Sequence, residues 1–474
     1  MQNKVIKLFE QYTNCSLSEI YRLPQSGGNR VYFRILGKNG SVIGVVGNST
    51  KENNAFFEIA RQFEIQSILA PKVLCVSDDK LCYLLDDLGD NTLFDRIADG
   101  RTSGIFSENE KRLLYQTMGY LPDIQFKIAQ NFDFSVCYPQ SEFDRRMIFF
   151  DFNYFKYSFL KLCRIDFDEN RLENEFEKFA EILLQNSDTE TFMYRDFQSR
   201  NVMFKDDKPC FIDFQGGRKG AIYYDVASFL WQARANFPNS LRNELIDTYL
   251  ISLKKYCQVS KNDFLARLKY FVLFRQLQTL GAYGFRGIFE QKQHFLQSIP
   301  FALENIDNLL PFNEFTYLSE LLKKIVASGE FQKNTETDLT AKLTVQIESF
   351  AYGNGIPKDS SGNGGGYVFD CRSIYNPGRF EQYKKSTGLD SSVKEFIENS
   401  TGIEDFIKNV YSLIDSHIKI FLERGFWHLS VFFGCTGGQH RSVYCAELLA
   451  KYVKAKYPVN VKLRHRELGI TREL

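Results

Sequence analysis

The sequence predicts two folded units: a bilobal α+β domain, then a smaller α/β domain built around a glycine-rich loop. Three observations carry this. At 474 residues the chain is too long for one ordinary core. Short apolar runs punctuated by polar loops fill residues 191–214, whereas helical spacing dominates from Asn239 to about Ala327. After a polar, aperiodic stretch, strands alternate with helices to the last residue. The expected boundaries are 1–326 for the first domain (small lobe 1–88, large lobe 89–326), 327–340 for a linker, and 341–474 for the second domain.

In the small lobe, Leu23 to Arg30 lies between a predicted helix and the strand Val31–Ile35. Its adjacent glycines let backbone N–H groups approach phosphate oxygens, so Ser26, Gly27, Gly28, Asn29 and Arg30 are candidate nucleotide contacts. A strand at Ser41–Val46 follows, then a helix from Asn53 to Leu69 with Phe56, Phe57, Ala60, Phe63 and Ile68 on its apolar side. Leu81–Leu85 is a buried strand running into Asp86-Asp87-Leu88-Gly89-Asp90, a hinge between lobes.

In the large lobe, Phe149, Phe152, Phe155 and Phe159 recur at helical spacing, which places Asp151, Asn153, Tyr154 and Lys156 at the edges of a helix. Tyr194-Arg195-Asp196-Phe197-Gln198-Ser199-Arg200-Asn201, followed by Ile212-Asp213-Phe214, is the most informative stretch. Thr191–Tyr194, Asn201–Phe204 and Cys210–Phe214 are short apolar runs, and Asp206–Pro209 has turn chemistry. A hairpin therefore returns Asn201 and Asp213 to the loop that holds Asp196. Phosphoryl transfer asks little more than this: a carboxylate to accept the acceptor hydroxyl's proton, and oxygen ligands for magnesium. Asp196 is the expected base; Asn201 and Asp213 are the expected metal ligands. Asp225 opens a further helix and reads as its cap.

These residues resemble the catalytic and metal-binding loops of the aminoglycoside phosphotransferase and choline kinase family, which has a protein-kinase-like fold. The resemblance covers roughly the first 330 residues. It implies ATP and Mg²⁺ as cofactors, an acceptor bound near Asp151, Asn153 and Tyr154, and support of the catalytic loop by Asp225. Tyr194 stands where the family usually has His. That fold also carries a lysine on its third strand, paired with a helix glutamate. No lysine occurs from Ser41 to Asn48, although Glu58 stands on the helix. Arg30, Arg34 and Lys51 remain alternative cations, and Asp87 of the hinge joins Arg34 and Glu58 as a nucleotide-site candidate. The missing lysine, with Asn29–Arg34, Phe57–Arg61 and Tyr223–Ser228, is similar to the anomeric amino-sugar kinases of this family. Those phosphorylate N-acetylmuramate or N-acetylglucosamine in cell-wall recycling.

In the second domain, strands are expected at Lys342–Phe350, Tyr367–Asp370, Trp427–Phe433 and Val459–His465, and helices at Thr401–Arg424 and Arg441–Tyr457. Between strand and helix lies Gly434-Cys435-Thr436-Gly437-Gly438-Gln439-His440-Arg441-Ser442. A glycine loop opening a helix offers N–H groups and the positive dipole end to an anion, with His440 and Arg441 as charged donors. The spacing from Cys435 to Arg441 is formally that of a protein tyrosine phosphatase loop. A phosphate-binding loop with a buried Cys is the preferred reading. Together with Ser349-Phe350, Gly355-Ile356-Pro357, Phe369-Asp370-Cys371-Arg372, Asn376-Pro377, Thr387–Asp390 and His465-Arg466-Glu467, the loop resembles the RapZ C-terminal domain. RapZ is an RNase adapter that senses glucosamine-6-phosphate and binds small RNA. The resemblance implies that Gly434–Ser442 holds the phosphate of an amino sugar, with Arg372 and His465 nearby. No P-loop motif occurs, so the usual first domain of that family is replaced.

Lysine plus arginine (59) nearly balances aspartate plus glutamate (58), which removes any whole-chain electrostatic case for nucleic acid or membrane. Seven basic residues between Lys451 and Arg472 keep RNA as a candidate partner. No apolar window approaches the roughly 18 residues of a membrane span, Met1–Lys4 lacks a signal-peptide core, and the cysteines lack disulfide or metal spacing. The expectation is a cytoplasmic sugar kinase, homo-oligomeric through its second domain, with no membrane partner and a C-terminal sensor of amino-sugar phosphate. The alternative is a nucleotide-binding, RNA-binding regulatory adapter with little turnover. A non-sugar acceptor such as choline or an aminoglycoside ranks third, because the Arg145–Lys156 segment lacks an acidic cluster.

Overall fold

The computed structural model describes residues 2–23, 30–38, 40–185, 190–290, 292–329, 331, 343–359, 366–399, 402–424, 426 and 428–474. They form two compact units: residues 1–282 with 298–331, and residues 283–297 with 332–474.

The small lobe of the first unit is an antiparallel sheet of β1 (Glu19–Arg22), β2 (Val31–Gly37), β3 (Gly40–Val46), β4 (Val73–Val76) and β5 (Cys82–Asp86), ordered β1-β2-β3-β5-β4. An N-terminal helix, Gln2–Thr13, buries Val5, Leu8 and Phe9 against Phe33, Ile35 and Leu84. Gly44 permits that approach, since a Cβ there would stand 2.1 Å from Val5 Cγ1. The next helix runs Thr50–Ile65, starting three residues before the expected Asn53 because the Ser49 side chain accepts the Glu52 N–H at 3.3 Å. Phe56, Ile59, Ala60 and Phe63 form its buried stripe. Phe56 and Phe63 stack on Phe214 of the large lobe at centroid separations of 5.0 and 4.7 Å.

The large lobe is mainly helical. Its helix Arg145–Ser158, capped by Asp144, packs Phe152 face to face on Phe176 of the helix Glu169–Gln185 at 4.3 Å. Strand β6 (Thr191–Met193) pairs with β9 (Arg218–Gly220), and β7 (Val202–Lys205) pairs with β8 (Lys208–Phe211). Asp206 and Asp207 both take positive φ (49° and 56°), the backbone that a tight hairpin turn needs. Helices Tyr223–Leu230, Asn239–Leu253 and Lys261–Tyr283 follow.

In the second unit β10 (Thr344–Ala351), β11 (Tyr367–Asp370), β12 (His428–Cys435) and β13 (Asn460–His465) are parallel, and β14 (Ile470–Glu473) runs antiparallel at the edge. The sheet order is β11-β12-β10-β13-β14. Val345, Ile347, Val431, Phe433, Val461 and Leu463 share a core with Val393, Ile397, Ile414, Ile418, Leu449 and Val453 of the helices Ser391–Glu398, Ile403–Arg424 and Arg441–Lys456. Sequence periodicity missed the short helix Ser391–Glu398 and the edge strand β14.

Candidate active site and glycine loop

The loop after β6 is held from below by buried charge. Arg195 has φ +77°, a left-handed conformation that a side-chain-bearing residue adopts only under constraint. Two constraints are visible. The Asp225 carboxylate accepts the N–H groups of Tyr194 and Arg195 at 2.8 and 2.9 Å. The Arg195 guanidinium reaches both oxygens of Asp151 at 2.9 Å. The reading of Asp225 as a cap of its own helix is corrected, since it makes no cap bond there; it clamps the loop, the support that the family resemblance implies. Full burial lifts its carboxyl to about 7, against the pull of the two N–H bonds. Asp151 is 1% exposed and engaged by Arg195, so the structure uses this candidate acceptor ligand as a brace. Asn153 and Tyr154 lie half-buried on the same helix. Tyr194 is fully buried, its hydroxyl donating to the carbonyl of Ile212, so it ties the loop to the approach to Asp213.

On this base Asp196, Asn201 and Asp213 converge. The Asn201 side-chain nitrogen donates to the Asp196 carbonyl at 2.8 Å, and the Ile212 N–H donates to the Asn201 carbonyl at 3.0 Å. A carbonyl only accepts, so the contact fixes the Asn201 amide with its oxygen turned away from the Asp196 backbone. The Asp196 side chain is half exposed, and its Oδ1 accepts from Arg275 Nη2 at 3.0 Å. Arg275, 79 residues further along on the helix Lys261–Tyr283, was invisible to motif reading. Asp213 also has a left-handed φ (+66°) and is open to solvent at its outer surface. The surrounding protein raises its pKa and the neighbouring Asp196 charge adds to this, while the Gln215 hydrogen bond and Arg30 pull it down. Two carboxylates that repel one another beside an oriented amide oxygen are a donor set that suits a hard divalent cation. Among the described residues no group of three or more His, Cys, Asp or Glu could hold a metal, so any such ion would rely on few protein ligands.

The small-lobe candidates separate. Arg34 is turned away from phosphate duty: its Nε lies 2.6 Å from Asp87 Oδ2, its Nη2 donates to Asp87 Oδ1 and the Gly89 carbonyl, and its Nη1 pairs with Asp90. Arg34 and Asp87 thus hold the hinge together. Glu58 pairs with Arg61 on the exposed outer face of the helix, beside a groove lined by Lys51, and not with a cation facing Asp213. It was placed by helical position alone, and the helix turns it outward. The carboxylate that sequence reasoning missed is Glu52, whose Oε1 lies 3.3 Å from Arg30 Nη2. Ser26, Gly27, Gly28 and Asn29 lie outside the described residues.

In the second unit the glycine loop leaves the carboxyl end of β12. The Gly438 N–H donates to Cys435 Sγ at 3.2 Å, and Ser442 Oγ lies 3.1 Å from the same sulfur, which is buried. Gly438 has φ +65°, and a Cβ there would meet Glu467 Cγ at 2.3 Å. Gln439 donates to the carbonyls of Lys384 and Ser386, His440 Nε2 to the carbonyl of Tyr383, and Arg441 Nη1 to the carbonyls of Arg372 and Ile374. The expectation that His440 and Arg441 stand open as charged donors is therefore corrected, because both are largely spent on neighbouring backbone. Arg441 retains a buried Nε without a partner among the described residues. Thr436 and Gly437 form the exposed tip, and the helix Arg441–Lys456 has no side-chain cap. Gly434 pairs within the sheet opposite Phe350 and Asp370. Arg372 pairs with Asp370 and lies over the Tyr352 ring. His465 is fully buried between Ser349 Oγ (2.9 Å) and Glu447 Oε1 (3.1 Å), which removes it from the list of direct ligands.

Residues 143–258 match the phosphotransferase enzyme family, and residues 343–469 match the RapZ C-terminal domain. The chain is 39% identical over 130 residues to a nucleotide-binding protein of Pseudoalteromonas atlantica, and 39% identical over 127 residues to the RNase adapter protein RapZ of Yersinia pseudotuberculosis. Each match covers 27% of this chain and, respectively, 44% and 43% of the relative, so the chain spans less than half the length of these relatives. The solved complex of gentamicin with APH(2")-IIa aligns with a TM-score of 0.45 at 16% identity, over 67% of this chain and 98% of that one. No helix among the described residues is long and apolar enough to cross a membrane. The chain thus joins a segment that matches the phosphotransferase enzyme family to one that matches the RapZ C-terminal domain.

Proposed function

We propose that the first unit is an ATP- and Mg²⁺-dependent kinase acting on the anomeric hydroxyl of a cell-wall amino sugar. The observation that carries this reading is the convergence of Asp196, Asn201 and Asp213 on a loop clamped by Asp225. Arg275 occupies Asp196 Oδ1, which leaves Oδ2 to accept the proton of the acceptor hydroxyl. The Asn201 oxygen and the Asp213 carboxylate are the ligands for Mg²⁺. When bound, that ion neutralises charge on the nucleotide phosphates. Asn153 and Tyr154 offer an amide and a phenol to sugar hydroxyls, on the helix whose Asp151 braces Arg195.

In the same reading the second unit binds an amino-sugar phosphate at Thr436–Gly437 and the uncapped N-terminus of the helix Arg441–Lys456. The protein is a cytoplasmic homo-oligomer joined through this unit. A regulatory adapter with little turnover is the second reading, favoured by the absence of lysine from β3. RNA binding belongs to it, supported by exposed Lys462 and by Arg464 on β13, the latter 3.9 Å from Glu348 Oε2. Arg466 and Arg472 are already paired with Glu467 and Glu447.

Purified full chain with ATP, Mg²⁺ and a panel of N-acetylhexosamines is expected to release ADP with at least one sugar. Asp196→Ala is expected to lose about 10²–10⁴-fold in rate. No release above that variant with any sugar would leave the adapter reading. Glucosamine-6-phosphate is expected to raise the melting temperature of wild type more than that of Thr436→Val, and equal shifts would remove the sensor assignment.

A further inference from the structure

A nucleotide triphosphate needs a cation from the small lobe as well as the metal below it. The third strand supplies none, since Gly40–Val46 carries no basic residue. Of the three cations that the sequence leaves open, Arg34 is committed to Asp87, Gly89 and Asp90 at the hinge. Lys51 lines the outer groove with Asn54, Phe57 and Glu58.

Arg30 is differently placed. It enters β2 one residue before Val31, which pairs with Val46 at the end of β3. Its side chain is 5% exposed and its guanidinium lies 3.3 Å from Glu52 Oε1 and 3.4 Å from the Glu52 carbonyl. Glu52 sits in the first turn of the helix Thr50–Ile65, at the end capped by Ser49. The guanidinium also stands 5.5 Å from the centroid of the Phe56 ring, whose other contacts include Phe214, stacked at 5.0 Å and 5°. Phe214 directly follows Asp213 in the chain. Arg30 Nε is buried and has no hydrogen-bond partner among the described residues, while the same guanidinium also bonds the Tyr32 side chain. A buried donor without a partner is costly, and a phosphate oxygen would relieve it.

We propose that Arg30, positioned by Glu52, binds the nucleotide phosphates in the role left vacant by the missing strand lysine. The inference rests on the kinase reading of the first unit, and it adds a mechanical link. Glu52 and Phe56 touch the cation from one helix, and Phe56 also stacks on Phe214 beside the Asp213 metal ligand, so a displacement of that helix moves both together.

The test is equilibrium binding by titration calorimetry on the full chain, with Mg·ADP and adenosine as probes. Arg30→Ala is expected to weaken Mg·ADP by about ten- to a hundredfold and to leave adenosine binding unchanged. A merely structural residue would not produce that split. Arg30→Lys should recover most of the loss. Glu52→Gln should weaken Mg·ADP by a smaller factor, and Lys51→Ala should match wild type. Equal Mg·ADP affinities for Arg30→Ala and wild type, or a loss in Lys51→Ala instead, would overturn the proposal. Should Arg30→Ala not fold, Arg30→Gln serves under the same criteria. If wild type binds Mg·ADP yet transfers phosphate to no acceptor, the kinase reading fails while the Arg30 assignment stands on binding. If wild type binds no Mg·ADP, both fail.

Discussion

The Asp196 loop of the first unit and the glycine loop of the second both leave the end of a strand, yet different forces hold them. The Asp196 loop rests on charged groups: Asp225 under two N–H groups, Arg195 on Asp151, and buried Arg275 on the half-exposed Asp196. The glycine loop rests on shape and backbone. Its Gly438 fits where a Cβ would collide, its sulfur accepts an N–H, and its polar side chains donate to carbonyls of the segment 372–386. Ions fix the Asp196 carboxylate and left-handed residues in place, at a desolvation cost that only complete pairing offsets. A loop made of N–H groups and one helix end needs no buried ion pair to stay ready for an anion.

The sharpest way to break this contrast is to remove one buried partner. Asp151→Ala strands Arg195 and is expected to cost about 3–5 kcal/mol in denaturant unfolding of the first unit. A loss under 1 kcal/mol would mean that the left-handed Arg195 is held by something else. Asp225→Ala orphans two buried N–H groups and should cost about 2–4 kcal/mol.

The Asp225 carboxyl also gives a pH signature. Its folded pKa of about 7 exceeds that of an unfolded aspartate, near 4. Between those values the folded chain keeps a proton that the unfolded chain releases, so this contribution is full below about 4 and declines as pH rises to 7. The stability difference between wild type and Asp225→Asn should therefore narrow across that window. A difference independent of pH would refute the buried-clamp account.

On the other side of the comparison, Gly438→Ala should cost about 1–2 kcal/mol from its positive φ alone, with further loss from displacing Glu467. It should leave ATP turnover untouched. Smallest of all, Arg61→Ala removes an exposed pair with Glu58 and is expected to shift stability by no more than about 1 kcal/mol. A larger loss would return Glu58 to the working site.

Legibility in the sequence followed the range of the interaction. The octet from Tyr194 to Asn201 and its hairpin were readable because turn residues and apolar runs are local signals. The strands and helices flanking the glycine loop were readable for the same reason. Arg275 and Glu52 as the partner of Arg30 were not, because each acts across tens of residues on elements whose facing is decided only by packing; the support that Asp225 gives the loop was legible only through the family resemblance. Glu58 shows the limit well. Helical position gave it the right helix and the wrong face, six residues from the carboxylate that meets the cation. Likewise Arg441 and His465 carried the right chemistry, but tertiary contacts had already claimed most of their donors and acceptors.

Phosphoryl transfer dependent on Asp196 is the claim on which the rest depends, and phosphorus NMR reads it directly. Full chain incubated with ATP, Mg²⁺ and an N-acetylhexosamine should yield a phosphomonoester signal coupled to the anomeric proton, absent with Asp196→Ala. Unchanged ATP with every sugar, or equal product from Asp196→Ala, would contradict the account.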